Sequence, residues 1–238
     1  MPKKYLSLIT LALTSVTLSS TASAYFVIYS PKVEYGETEL EVYGHYINDS
    51  DTAIDGGQQY VLEAGKGFTP KLYVAAKLEA EQKNKDASLS TSSLVVEGVY
   101  TLTEQGEYSW DVGLLGEIEY STVDDKLAAI AFGPVASIDF GSNMTFTANL
   151  IAERKRIDEI TETSANAQLK WRLNPEFEPG VEIYNEYADG ESAHYAGPMV
   201  RGKIKTDSAK IGYQAGWLVG MNDTSADNIF KFEVEYEF

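Results

Sequence analysis

The sequence predicts an all-β fold, an antiparallel up-and-down transmembrane β-barrel of about twelve strands. Apolar and polar residues alternate in segment after segment beyond residue 37, and this period of two is typical of strands with one apolar face. Most segments have about 10 to 13 residues, which is close to the roughly 9–11 needed to cross a bilayer and longer than ordinary soluble strands. No apolar run approaches the length of a membrane helix.

The first 24 residues have the composition of a secretory signal peptide. Lys3 and Lys4 form a positive start, and residues 6–18 form a short apolar core. An Ala-Ser-Ala cleavage site follows and ends at Ala24. We therefore expect residues 1–24 to be a signal peptide that directs export and is cleaved.

The mature chain divides into a short lead-in and the barrel. Residues 25–37 contain Pro31 and Gly36, so we interpret them as a periplasmic N-terminal lead-in. The transmembrane β-barrel is predicted over residues 38–238. Its strands are expected at residues 38–48, 57–68, 71–81, 89–102, 108–120, 127–139, 144–153, 163–173, 177–187, 194–204, 209–219 and 228–238.

The last segment shows the alternation most clearly. From Phe230 to Phe238, apolar residues alternate without error with Lys231 and three glutamates. In a membrane barrel the apolar face contacts lipid and the charged face lines the interior. Five short turns alternate with six more polar loops, including one over residues 188–193. This count fits twelve strands with both termini in the periplasm.

Many charged side chains fall on the inward parity of these segments. Unpaired ions are costly in a dry core, so this density favours a hydrated lumen over an apolar ligand pocket. The predicted lumen-lining residues are Glu39, Glu41, His45, Glu63, Lys77, Glu79, Glu97, Asp111, Glu117, Glu119, Lys170, Arg172, Glu182, Arg201, Lys203, Lys210, Lys231, Glu233 and Glu235.

The composition excludes several functions. With 36 acidic and 19 basic residues the net charge is −17 at pH 7, so the chain lacks the basic stripe of a nucleic-acid-binding protein. Cysteine is absent, which rules out a disulfide framework and a thiolate metal site. Asp49, Asp51 and Asp55 could offer oxygen ligands to a divalent cation, but the EF-hand spacing is missing and we expect solvated loop acids. We predict no cofactor and no metal site.

His45 and His194 are the only histidines and the only candidates for an enzyme at the barrel rim. His45 lies near Asp49 and Asp51, but no local serine motif accompanies either histidine and the G-x-S-x-G pattern is absent. Catalysis needs convergent geometry, so we expect both histidines to take part in hydrogen-bond networks. We assign no catalytic residue and predict that the protein is not an enzyme.

The terminal run of residues 234–238, with the signal peptide and the amphipathic strands, resembles Gram-negative outer-membrane β-barrel proteins. The resemblance implies location in the cell outer membrane, contact with outer-membrane lipid and lipopolysaccharide, and a C-terminal Phe238 that the barrel-assembly machinery reads. In layout the chain is similar to the outer-membrane transporters associated with phenol degradation. That similarity carries over no functional residue.

We expect an outer-membrane channel or porin-like protein that passes small polar solutes or cations through a narrow charged lumen, since rings of Asp and Glu favour cations. A closed structural or adhesive barrel filled by ion pairs remains an alternative, as does a rim-sited lipid hydrolase. No flat or polar patch interrupts the predicted lipid face, so we expect a monomer.

Overall fold

The computed structural model describes residues 26–206 and 208–238, so the predicted signal peptide lies outside the described residues. Within those residues no helix is long and apolar enough to span a membrane. The strands are β1 (Thr38–Asn48), β2 (Gln58–Thr69), β3 (Leu72–Gln82), β4 (Ser90–Thr101), β5 (Trp110–Ser121), β6 (Lys126–Phe140), β7 (Met144–Lys155), β8 (Thr161–Trp171), β9 (Glu178–Ala188), β10 (Glu191–Lys205), β11 (Lys210–Gly220) and β12 (Asn228–Glu237).

Each strand pairs antiparallel with its sequence neighbours, and β1 pairs with β12 to close the barrel. Thr38 and Phe238 exchange two backbone hydrogen bonds, of 3.2 and 2.9 Å, at the end of this seam. A closed sheet has no free edge, which lets its backbone polar groups be satisfied without water. The predicted fold class is confirmed, and the predicted strand boundaries differ from the observed ones by at most three residues.

Side chains along each strand alternate between the outer and inner faces of the wall. On β12, Phe230 and Val234 are 47% and 48% exposed, whereas Lys231 and Glu235 are 7% and 6% exposed. The apolar face therefore points outward and the charged face points into the lumen. Soluble proteins bury apolar side chains and expose charged ones, and an exterior that faces lipid accounts for the reverse arrangement here.

The two ends of the barrel differ in their connections. One end, here called the turn end, carries Phe238, the connections at residues 70–71, 102–109, 141–143 and 172–177, and residues 206, 208 and 209 between β10 and β11. The opposite loop end carries residues 49–57, 83–89, 122–125, 156–160, 189–190 and 221–227. The polar loop predicted over residues 188–193 is instead a two-residue turn, because Asp189 and Gly190 both have positive φ (48° and 85°) and β10 begins directly afterwards.

The interpretation of residues 25–37 as a periplasmic lead-in is corrected by the structure. Residues 26–34, here called the N-terminal segment, lie inside the barrel. Phe26 is 6% exposed and packs in an apolar cluster near the loop end, and Val33 is 6% exposed near the turn end. Tyr35, by contrast, is 70% exposed. The lumen buries the apolar side chains of the segment, which would be exposed to water in a periplasmic lead-in.

The interior is also less uniformly charged than predicted. Inward-facing Val99, Leu115, Val135 and Ile151 form a buried apolar cluster, against which Tyr29 of the N-terminal segment packs. Apolar side chains on the inner face pack against the inserted segment, because an occupied lumen excludes water at this height.

Candidate functional site: the barrel lumen

The structure places every predicted lumen-lining residue on the inward parity of its strand or strand end, where its side chain is buried or half-buried. These residues do not form one site. They separate into a chamber at the turn end, two lysine-centred networks deeper in the lumen, and further positions that belong to neither.

The chamber is a cavity of about 520 Å³. It is lined by the N-terminal segment on one side and by the barrel wall on the other. Nine carboxylate and six basic side chains of the described residues face it, so its surface carries an excess of negative charge. The predicted residues that line it are Glu39, Glu41, Glu63, Glu97, Lys170, Arg172, Arg201, Lys203, Glu233 and Glu235.

The acidic side of the chamber centres on three glutamates. Carboxylate oxygens of Glu39, Glu41 and Glu63 all lie within 4.8 Å of one another. The hydroxyls of Tyr73 and Tyr43 donate hydrogen bonds to Glu63, at 2.8 and 3.4 Å. A set of oxygen ligands is the kind that hard cations prefer, so this side can attract and hold positive charge.

The basic side of the chamber is largely neutralised by neighbouring acids. Arg201 lies 3.3 Å from both Glu233 and Glu235, and Lys170 lies 3.0 Å from Glu178. Charges that are already paired offer less to an incoming anion. The remaining carboxylates, which lie on the neighbouring strands β1 and β2, therefore dominate the field in the chamber.

Lys77 organises the first of the two deeper networks. Its ammonium group pairs with Glu97 and with Glu117, the latter at 2.8 Å. It also contacts the Tyr29 hydroxyl at 3.3 Å and lies 5.2 Å from the centre of the Tyr29 ring. A wall cation and two wall carboxylates thus hold the middle of the N-terminal segment.

Lys231 organises the second network, on the other side of the lumen. It lies 3.0 Å from Glu182 and donates a hydrogen bond of 2.7 Å to the Tyr184 hydroxyl. Two glutamine side chains also donate to Glu182. The Tyr184 hydroxyl donates in turn to the carbonyl oxygen of Phe26, at 3.1 Å, which connects this network to the tip of the N-terminal segment.

The remaining predicted residues lie apart from the chamber. Asp111 is 3.8 Å from Lys32 of the N-terminal segment, and Lys210 pairs with Glu37 at 2.7 Å. Glu79 accepts a hydrogen bond from a serine hydroxyl on the neighbouring strand. Glu119, on β5, is half-buried.

Each of the two histidines contacts an aromatic ring. The ring of His45 packs edge-on against the Phe26 ring at 5.1 Å. His194 contacts the Asn185 side-chain oxygen at 3.0 Å and the Tyr187 ring at 5.6 Å. Both rings are thus engaged in packing or in an amide contact, in line with structural roles.

The first loop uses its acids to form turns. Asp49 accepts hydrogen bonds from the backbone N–H groups of Asp51 and Asp227, at 2.6 and 2.7 Å. Asp55 accepts one from the backbone of Asp49 at 3.3 Å and pairs with Lys85 at 3.2 Å. These carboxylates are thus engaged by groups of their own loop and of the two neighbouring loops.

The residues that hold the N-terminal segment were not among those predicted from the sequence. Asn149, on β7, accepts a hydrogen bond from the backbone N–H of Tyr29 and donates one to its carbonyl oxygen, at 2.7 and 2.8 Å. Gln105, in a connection of the turn end, does the same for Val33 at 3.1 and 2.9 Å. A signal in the sequence is the apolar run of residues 25–29, which suits burial better than a periplasmic linker.

A family model described as "Putative MetA-pathway of phenol degradation" matches residues 18–237. The chain belongs to this family. The match covers the whole barrel, and the resemblance to the phenol-degradation group inferred from the layout of the sequence is confirmed. No protein with a curated description matches this sequence.

Solved structures with a similar fold are outer-membrane barrels. The "KdgM porin" has 11% identity and a TM-score of 0.56, covering 84% of this chain and 99% of its own. The "COG4313 outer membrane channel from Pseudomonas putida F1" has 10% identity and a TM-score of 0.57, covering 87% and 97%. The "Beta Domain of the Bordetella Autotransporter Brka" has 12% identity and a TM-score of 0.58, covering 86% and 99%. At identities of 10–12%, these similarities concern the fold alone.

Proposed function

We propose that the protein is an outer-membrane channel that passes small polar solutes through a narrow charged lumen, with preference for cations or neutral solutes over anions. The observation that carries the proposal is the chamber of about 520 Å³ with its excess of carboxylates, inside a closed barrel with an apolar exterior. Such acid-lined pores concentrate cations and repel anions. The similarity in fold to two outer-membrane channels supports the same function.

The same proposal includes the location and assembly of the protein. Cleavage after Ala24 would release the mature chain in the periplasm, and Phe238 would serve as the signal for the barrel-assembly machinery. The exposed apolar side chains of the exterior suit outer-membrane lipid and lipopolysaccharide. A single barrel is complete in itself, since all twelve strands close within one chain, so we propose a monomer.

A closed structural or adhesive barrel is the second candidate, and a specific observation favours it. Tyr184, Leu218 and Ile229, each at most 1% exposed, pack with Phe26 in an apolar cluster inside the barrel near the loop end. Ions cross apolar constrictions poorly. The two candidates differ in one respect: a channel conducts under some condition, whereas a closed barrel never does.

Conductance of the purified full-length protein in planar bilayers tests the proposal. We expect discrete current steps and, across a KCl gradient, a reversal potential of the sign that indicates cation preference. The double variant Glu39→Gln/Glu41→Gln should weaken that preference, because it removes two of the three clustered charges. Glu104→Gln is the matched control, since the Glu104 side chain is 70% exposed and lies outside the chamber. Anion selectivity would refute the proposed preference.

A further inference from the structure

The N-terminal segment is held in the lumen mainly through its backbone. Asn149 and Gln105 each make paired hydrogen bonds to one residue of the segment, as described above. The Thr101 hydroxyl donates to the carbonyl oxygen of Pro31, and the Tyr184 hydroxyl donates to that of Phe26. In peptide recognition, hydrogen bonds to the main chain give affinity and pockets for side chains give specificity.

Four side chains of the segment enter sites formed by the wall. The Phe26 ring lies 5.3 Å from each of the Tyr184 and Tyr195 rings, in edge-on geometry. Tyr29 packs on an apolar cluster, and Pro31 is fully buried. The Lys32 ammonium group is 2.7 Å from the Asp139 carboxylate. The wall therefore recognises an aromatic first residue, a central tyrosine and a basic residue near the exit.

The barrel wall does not need the segment in order to close. Every strand pairs with two other strands, and residues 26–34 belong to none of them. The segment joins β1 through residues 35–37, where Tyr35 is 70% exposed and Gly36 has a φ of 84°. Gly36 and Glu37 form backbone hydrogen bonds with Gly67 of β2, so the sheet holds the chain from Gly36 onward and the segment before it is tethered at that point.

We propose that the lumen is a binding site for an extended peptide and that the N-terminal segment is its built-in, exchangeable ligand. When the segment is bound it occupies the path between the chamber and the loop end, so its departure opens the channel. The opening of the channel rests on the proposed function, whereas the binding of the peptide does not. The peptide recognised is the nine-residue sequence from Phe26 to Glu34.

Peptide exchange in a cut protein tests the proposal. A protease site inserted after Tyr35 lets the full chain fold first and be cut afterwards, and the heat-modifiable gel mobility of the barrel checks that the fold survives. Fluorescein-labelled synthetic peptide 26–34 is then added and its anisotropy is measured. We expect saturable binding to the cut protein after dialysis and none to the uncut protein, whose site is occupied. Absence of saturable binding to both would overturn the proposal.

Two variants show whether the binding is specific. A peptide with Phe26→Ala should bind at least about tenfold more weakly, since it loses a fully buried aromatic ring. A barrel with Asn149→Ala should bind roughly tenfold or more weakly, since it loses two hydrogen bonds. Asn185→Ala is the matched control and should bind as the parent does, because Asn185 lies on the outward parity of β9. Equal affinity for the parent pair, the Phe26→Ala peptide, the Asn149→Ala barrel and the Asn185→Ala barrel would contradict recognition by this site.

Conductance of the same samples separates this proposal from the proposed function. We expect cutting and dialysis to raise the single-channel conductance and added peptide to lower it again. Peptide binding without conductance in any state would refute the channel and leave the binding site standing. Conductance that is equal before and after cutting, with no peptide binding, would refute the binding site and leave the channel standing. A variant lacking residues 25–34 should behave as the cut protein does.

Discussion

Removal of the Lys77 charge should strongly destabilise the barrel. The Lys77 side chain is 0% exposed, and its partners Glu97 and Glu117 have side chains that are 3% and 9% exposed. The substitution Lys77→Met leaves both carboxylates without a cation in a region that holds little water. Removing one partner of a buried ion pair costs about 3–5 kcal/mol. We expect the free energy of unfolding to fall by this amount, with little reduction from solvent screening.

Urea unfolding in detergent micelles, followed by tryptophan fluorescence, measures the loss. For a urea dependence of about 2 kcal/mol per M, the midpoint should fall by about 2 M. Lys85→Met removes a lysine of similar chemistry whose side chain is 52% exposed beside Asp55, and it should change stability by less than about 1 kcal/mol. The triple variant Lys77→Met/Glu97→Gln/Glu117→Gln removes all three charges together and should regain most of the loss.

The expected loss would be wrong if the stability of Lys77→Met lay within about 1 kcal/mol of the parent, the value typical of exposed pairs. That result would mean that water screens the three charges. The deeper part of the lumen would then be as open as the chamber, and the N-terminal segment would not exclude solvent from it.

Changes at Gly133, at Phe238 and at the loop acid Asp55 have separate expected outcomes. In Gly133→Ala the new Cβ would overlap the carbonyl oxygen of Leu150. In the control Gly98→Ala the nearest atom to the new Cβ would be 3.6 Å away. Heat-modifiable gel mobility should therefore show a loss of folded barrel for Gly133→Ala only. Deletion of Phe238 should lower the amount of barrel recovered from outer-membrane fractions, and unchanged recovery would contradict its role in assembly. The pKa of Asp55 is held below its usual value by a backbone hydrogen bond and by a neighbouring lysine. Because the folded-state pKa is lowered, the ionised carboxylate stabilises the loop at pH values above the unfolded pKa, and this effect is lost as pH falls through the folded pKa. Proteolysis of the first loop should therefore accelerate in acid. In Asp55→Asn the rate of proteolysis should not show this acid acceleration.

The wall of the barrel was predictable because its pattern is local. Each strand carries its own alternation of lipid-facing and lumen-facing residues, so β12 could be recognised without knowledge of its partners. Closure follows from the even count and the matched lengths. Residues 189–190 escaped the prediction because turn length depends on which residue adopts a positive φ, and Asp189 does so here.

The contents of the lumen were not predictable in the same way. Tyr29 is paired with Asn149, which lies 120 residues further along the chain, and no local pattern encodes that contact. A weaker signal exists in pairs of consecutive apolar residues within strands, such as Leu114 and Leu115. In this pair the second residue is 0% exposed and faces inward. Breaks in the alternation thus mark the places where the interior packs against the N-terminal segment.

The reversal potential across a KCl gradient shows whether the acid-lined lumen conducts cations. The measurement uses the full-length protein and the protein cut after Tyr35, each in planar bilayers. We expect discrete current steps, larger in the cut protein, and a reversal potential of the sign for cation preference in both. No current steps in either protein, or a reversal potential of the sign for anions, would contradict this expectation.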